Sequence, residues 1–368
     1  MEKKKINSLY IHIPFCRNIC PYCDFTKIIK NQSFEDKYID KLLNDINCVK
    51  RKFDKFKTIY IGGGTPSCLS FFNLERILVF LQDLKYSNAE FTIEANPEDI
   101  NDSFLKLITR YGVNRISIGV QSFNEATLSE LNRKKTDFTK IISITKKYIQ
   151  NINLDFIYGL PGEDEVTIEN NLDNFLKLDV NHISIYSLTI NPGTIFYNKK
   201  IKEIDEDLNR KYYDLICKKL IENNFIHYEI SNFSKPGYES KHNFNYWHDN
   251  EFLGIGLGAF GYINDERYSF TKNLDKYISD TNNIDFIEKL SKSEQEEEYI
   301  MLNLRTNKGI NFKEFNKRFS IDFNKKYDRE IKKLKDENLI IINKESIVAN
   351  HNGMAILDKI ILSFFAKI

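Results

Sequence analysis

Apolar residues in the first two thirds of the chain fall into two alternating patterns. Short runs rich in Ile, Val, Tyr and Phe predict strands at 8–13 (SLYIHI), 58–62 (TIYIG), 91–95 (FTIEA), 115–120 (RISIGV), 153–158 (NLDFIY) and 182–187 (HISIYS). Longer segments of helical period predict helices near 34–52, 72–85, 101–110, 137–149, 164–177 and 205–223. In the fifth of these, Val166, Ile168, Leu172, Phe175 and Leu176 form a mostly one-sided stripe. Strand–helix units in succession predict an α/β fold with a parallel sheet and helical crossovers. The sheet can be open or closed into a full or partial barrel, and periodicity does not choose. In either case functional side chains belong at the C-terminal ends of the strands.

The unusual residues collect there. Cys16, Cys20 and Cys23 follow the first strand, and GGGTP (62–66) follows the second. Glu94 ends the third, Gln121 follows the fourth and Asp155 lies in the fifth. Their placement on one rim points to a single site.

After about residue 225 the pattern changes. Residues 242–263 are rich in Gly and aromatics, and 291–305 are acidic and polar. The remainder reads as helices with a short strand pair at 339–349. The expected organisation is a core over 1–225, a connecting segment over 226–279 and a small α-rich domain over 280–368. The last stretch, AILDKIILSFFAKI, carries an apolar stripe of Ile356, Leu357, Ile360, Ile361, Phe364 and Phe365. A membrane-lying helix would typically show more basic residues on its polar face, so docking onto the protein is expected.

Composition narrows the class. At 368 residues the chain can bury a sizeable core and form two domains. With 42% hydrophobic and 29% charged residues it is globular and soluble in type. Lys and Arg (53) nearly balance Asp and Glu (52), which argues against a nucleic-acid partner. No apolar run is long enough for a transmembrane segment, and the basic N-terminal residues are followed by no signal-peptide core. Six cysteines, three of them clustered, do not suit a disulfide framework; a reducing, cytoplasmic home is expected. Cys48, Cys68 and Cys217 read as small buried side chains.

Three clustered thiolates can hold a soft metal and leave one coordination position free. A structural zinc site would need a distant His or Cys to close it. An iron–sulfur cluster can instead offer its unligated iron to a cofactor. The glycine loop can hold a charged ligand on its backbone groups, or be a plain tight turn.

The stretch YIHIPFCRNICPYCDF (10–25) resembles the signature of the radical S-adenosylmethionine (SAM) superfamily. The resemblance implies a (β/α)6 partial TIM-type barrel, with Cys16, Cys20 and Cys23 holding a [4Fe–4S] cluster whose free iron binds SAM. It places Tyr22 near the adenine and Gly63, Gly64 and Thr65 at the methionyl part of SAM. FTIEANPE, GVQSF, LNRKK and INLDFIYGLPGE are similar to the oxygen-independent coproporphyrinogen III oxidase branch. That likeness implies SAM contacts for Tyr10, Glu94, Gln121, Arg133 and Asp155, and a small winged-helix-like C-terminal domain.

Within that branch the oxidases continue the cysteine motif to a further cysteine, where this chain has Phe25. They also carry a long N-terminal extension, for which a first strand near residue 8 leaves no room. Both features resemble the haem-chaperone (HemW-type) relatives, as does the H-N-x-x-Y-W motif formed by His242, Asn243, Tyr246 and Trp247. The resemblance implies haem as cargo, contacted by His242, Tyr246 and Trp247, with His248 as another candidate axial ligand. A core histidine and a core tryptophan are the bland alternative. Implied partners are client haem proteins such as cytochromes, and an electron donor if SAM is cleaved. The implied location is the cytoplasm, with room for peripheral membrane association. The competing activity is radical decarboxylation of coproporphyrinogen III to protoporphyrinogen IX.

Overall fold

The computed structural model describes residues 3–279 and 283–365. Residue 280, the expected start of the second domain, and the last three positions of the C-terminal stretch lie outside the described residues.

All six expected strands form: β1 (Ser8–Ile13), β2 (Phe56–Gly63), β3 (Lys85–Ala95), β4 (Arg115–Gln121), β5 (Asn151–Tyr158) and β6 (His182–Ser187). They are parallel and adjacent in chain order. The crossover helices are Gln32–Lys52, Phe71–Leu81, Asp102–Arg110, Phe138–Lys146 and Glu165–Lys177, followed by Glu206–Glu222. Each begins where a short polar side chain accepts a first-turn N–H: Asn31, Ser70, Asn101, Asp137, Asp164 and Asp205.

Alternation along each strand sorts the side chains onto two faces. Ile11, Ile61, Ile93, Ile116, Leu154 and Ile183 are all 0% exposed and pack in one core with helix residues such as Tyr38, Leu42, Leu78 and Phe104. Complete burial of each such side chain contributes about 1.5–3 kcal/mol. The opposite face is largely polar. One register row reads Tyr10, Tyr60, Thr92, Arg115 and Asn151; the next includes Glu94, Ser117, Asn153 and His182. This inner face forms a polar chamber.

The sheet extends beyond the six strands to twelve among the described residues. Phe252–Ile255 pairs parallel with β1, and Phe260–Ile263, Glu266–Phe270 and Ile284–Lys289 continue antiparallel from it. On the far edge, Asn232–Ser234 pairs antiparallel with β6, and Ile226–Glu229 lies outside it. The outermost strands do not pair with each other, so the barrel is partial. The stretch read as a connecting segment thus supplies strands to both edges, and the sheet runs on as far as Lys289.

A second core gathers Tyr299, Ile300, Phe315, Phe323, Leu334 and Ile347. It contains helices Lys292–Asn303, Phe312–Phe319 and Asp328–Asp336 and a three-stranded antiparallel sheet. Ile340–Ile342 and Ser346–Ala349 are the strand pair expected in 339–349. Leu357, Ile360, Ile361 and Phe364 of the last helix are buried in this core. No helix among the described residues is long and apolar enough to cross a membrane.

Candidate functional site

A cavity of about 420 Å³ opens at the C-terminal ends of the strands. Cys16, Cys20, Tyr22, Cys23, Gly63, Gly64, Thr65, Glu94, Gln121, Arg133 and Asp155 all line it. Tyr10 does not: its hydroxyl meets His12 Nδ1 at 3.0 Å, and its ring lies behind Tyr60, centroids 6.1 Å apart.

The three cysteines are free thiols on one loop. Phe15–Cys16 pairs with Ile28–Ile29, which pins the loop's two ends together. The Cys23 N–H donates to the Cys20 carbonyl at 3.1 Å, and Lys27 Nζ to the Cys23 carbonyl at 2.5 Å. Thr65 Oγ1 lies 3.6 Å from Cys16 Sγ. Burial raises the Cys16 thiol and pushes Cys23 up to about 11. Among the described residues no three His, Cys, Asp or Glu side chains converge on a single-ion position. Three thiols on one loop lining one cavity are a donor set suited to a polynuclear cluster that takes one thiolate per iron.

The glycine loop is tight by necessity. Gly63 has φ +114°, and a Cβ there would sit 2.5 Å from His12 Cε1. At Gly64 a Cβ would sit 2.8 Å from the Phe15 carbonyl oxygen. The Gly64 and Thr65 N–H groups donate to Ile13 and Phe15 at 2.7 and 2.8 Å, fastening the loop to the cysteine loop.

Glu94 accepts from the Tyr60 hydroxyl at 2.8 Å and from the Gly63 N–H at 3.0 Å. Burial raises its carboxyl to about 7. Asp155 accepts from Ser117 Oγ and Asn153 Nδ2, both at 2.8 Å, and burial raises it too. Arg133 Nη1 donates to Asn96 Oδ1 and to the Gly119 carbonyl, both at 3.0 Å. Gln121 sits at φ +68°, where β4 shifts register against β5. Tyr22 packs beside Leu131, Leu160, Leu188 and Phe196. Phe25, 64% exposed, stands at the mouth.

The second motif lies on the helix Lys241–Trp247, beneath the chamber. Glu90 accepts the N–H groups of Lys241 and His242 at 3.1 and 3.0 Å. His242 is 1% exposed. Its Nδ1 meets Thr58 Oγ1 at 2.8 Å and its Nε2 meets the Tyr246 hydroxyl at 2.7 Å. Both ring nitrogens are engaged, so in this arrangement His242 is a core histidine with no lone pair for iron. Its ring packs 5.1 Å from Tyr60, and Asn243 lines the cavity from below. Trp247 lies against Arg305 of the second core, 6.0 Å from ring to guanidinium. His248 is half-buried and stacks on Phe244 at 5.3 Å, with no hydrogen bond to its ring nitrogens among the described residues.

Models of the radical SAM superfamily and of the HemN C-terminal domain match residues 10–175 and 290–356. The haem chaperone HemW of Lactococcus lactis is 37% identical over 98% of both chains. The chain belongs to the HemW family of radical SAM proteins. HemW of Bacillus subtilis is 33% identical over 99% of this chain and 100% of its own. The solved structure of Escherichia coli coproporphyrinogen III oxidase (HemN) matches with a TM-score of 0.86 at 21% identity, covering 98% of this chain and 90% of that one. At that identity the likeness establishes the fold. Radical SAM family membership carries with it a [4Fe–4S] cluster and SAM, and the thiols and carboxylates of this HemW-family cavity have the donor chemistry to fit them.

Several lining residues went unseen in the sequence: Tyr60, Asn96, Arg115, Ser117 and Asn153. The signal for Arg115 and Ser117 was available as the strict polar–apolar alternation of R-I-S-I at the start of β4.

Proposed function

We propose that this chain is a haem chaperone that binds haem and hands it to client haem proteins such as cytochromes. The observation that carries the reading is the end-to-end likeness to HemW of Lactococcus lactis. Cys16, Cys20 and Cys23 would hold the [4Fe–4S] cluster. Bound SAM would complete the free iron's coordination and make available one-electron cleavage, for which an electron donor would be needed. Glu94 and Asp155 offer anionic acceptors for the ammonium, sulfonium or ribose hydroxyls. Gly63, Gly64 and Thr65 allow close backbone approach, Arg133 suits the carboxylate, and Tyr22 suits the adenine. Gln121 faces the same space, and Tyr10 would act by supporting Tyr60.

Haem contact is assigned to the helix 241–247 and its C-terminal end, with Tyr246 and Trp247 as aromatic neighbours. His242 would have to surrender a hydrogen bond to ligate iron, at a cost of roughly 1–3 kcal/mol. His248 needs no such rearrangement and is the preferred ligand. The domain assignment is a core over 1–225, the haem-motif segment over 226–279 and a C-terminal domain from 280, whose first strand, Ile284–Lys289, joins the core sheet. A cytoplasmic location, with attachment at a membrane surface where a client requires it, belongs to the same proposal. The competing reading is oxidation of coproporphyrinogen III, which the shared fold does not separate from haem handling. Haem titration, followed by transfer to an apo-haem protein, tests the chaperone reading. Failure to bind haem would end it.

A further inference from the structure

Arg115 opens β4 on the polar inner face, is 2% exposed and lines the cavity. Its Nε is buried without an acceptor, and its guanidinium makes no hydrogen bond or ion pair among the described residues. An uncompensated buried cation is costly, so the chamber must offer it something. Two carboxylates deep in the same cavity, Glu94 and Asp155, have only neutral partners, and a third, Asp24, lines its exposed edge. Glu94 is held by the Tyr60 hydroxyl and the Gly63 N–H, Asp155 by Ser117 and Asn153. Arg133, the other guanidinium at the cavity, spends Nη1 on Asn96 and Gly119.

The titratable groups facing Glu94 come from every element around it. They are Tyr10 on β1, Tyr60 on β2, Asp155 on β5, Tyr186 on β6, Tyr246 on the helix below, and Arg115 on β4. Arg115 is the single cation in that set. Burial drives Glu94 and Asp155 toward their neutral forms, the charge of Asp155 adds to this at Glu94, and Arg115 opposes it at each. An anionic ligand on Arg115 would meet the same two carboxylates, which disfavours that role.

We propose that Arg115 is a positioning residue: its charge offsets part of the burial that drives Glu94 and Asp155 neutral, so that the cavity accepts a cationic, sulfonium-type ligand. The ligand part rests on the SAM reading above; the counter-ion part does not.

The test is infrared titration of the cluster-loaded, SAM-free protein, reading the carbonyl band of protonated carboxylic acid. In Arg115→Met that band should titrate about one pH unit higher than in the wild type. Arg115→Lys should restore the wild-type midpoint, and adding Glu94→Gln to Arg115→Met should remove Glu94's share of the shifted band and leave that of Asp155. Arg115→Gln serves as a second variant, with thermal melts to confirm folding. Equal midpoints in the wild type and both neutral variants would overturn the proposal. SAM binding, followed by equilibrium dialysis across pH, should track the same midpoints. If the wild type bound no SAM while the infrared shift remained, the counter-ion role would stand and the cofactor reading would fall.

Discussion

His242 Nε2 lies 2.7 Å from the Tyr246 hydroxyl, and this contact engages the second nitrogen of a buried imidazole already bonded to Thr58. A motif that reads in sequence as a haem contact therefore stands as the floor of the chamber. His248→Ala should weaken haem binding at least tenfold in a Soret titration. His242→Ala should lower the melting temperature and leave haem affinity within about threefold. The opposite pattern would mean that the helix opens to bind haem.

Replacing Cys16, Cys20 or Cys23 with Ser should each abolish the reconstituted iron–sulfur chromophore. Cys68→Ser should retain it, because Cys68 is buried with its thiol directed to the Phe15 carbonyl at 3.4 Å. Iron and sulfide content after anaerobic reconstitution checks this. A cluster retained in any of the three would dismiss that cysteine as a ligand.

Glu94 sets a pH dependence of definite sign. Its folded pKa stands above its ordinary 4.5, at about 7, through burial. The folded state therefore binds more protons in that window, and stability falls as pH rises through it. The loss is of order 3 kcal/mol at most. Glu94→Gln should escape this loss and melt at a higher temperature than the wild type at pH ~8. It should also bind SAM at least tenfold more weakly. SAM affinity of the wild type should decline as pH falls through about 7. Unchanged SAM binding in Glu94→Gln would remove this contact.

The glycine loop makes a steric prediction. Gly63→Ala places a Cβ against the His12 ring at a backbone angle that L residues rarely adopt. It should cost about 1–3 kcal/mol and loosen the cavity. Thermal melts and SAM binding together check it. A variant with wild-type stability and affinity would show that the loop yields.

The strands were legible because runs such as SLYIHI and RISIGV have one apolar face that must be buried. β3 begins at Lys85, six residues before the apolar signal, because Tyr86, Ser87 and Asn88 are exposed and leave no hydrophobic mark. Rim residues such as Glu94 and Asp155 stood out because carboxylates are unusual in apolar runs. Tyr60 and Arg115 did not, because each begins or interrupts a run dominated by its apolar content. The floor role of the helix 241–247 depends on contacts from β2, β3 and the second core, which no local pattern records.

Haem handling without porphyrinogen oxidation separates a chaperone from an oxidase on this fold. The direct measurement uses anaerobically reconstituted protein with SAM, a reductant and coproporphyrinogen III, and a parallel haem titration. The account predicts stoichiometric haem binding and no protoporphyrinogen above a no-protein control. Protoporphyrinogen and carbon dioxide in the first sample, or no haem bound in the second, would contradict it.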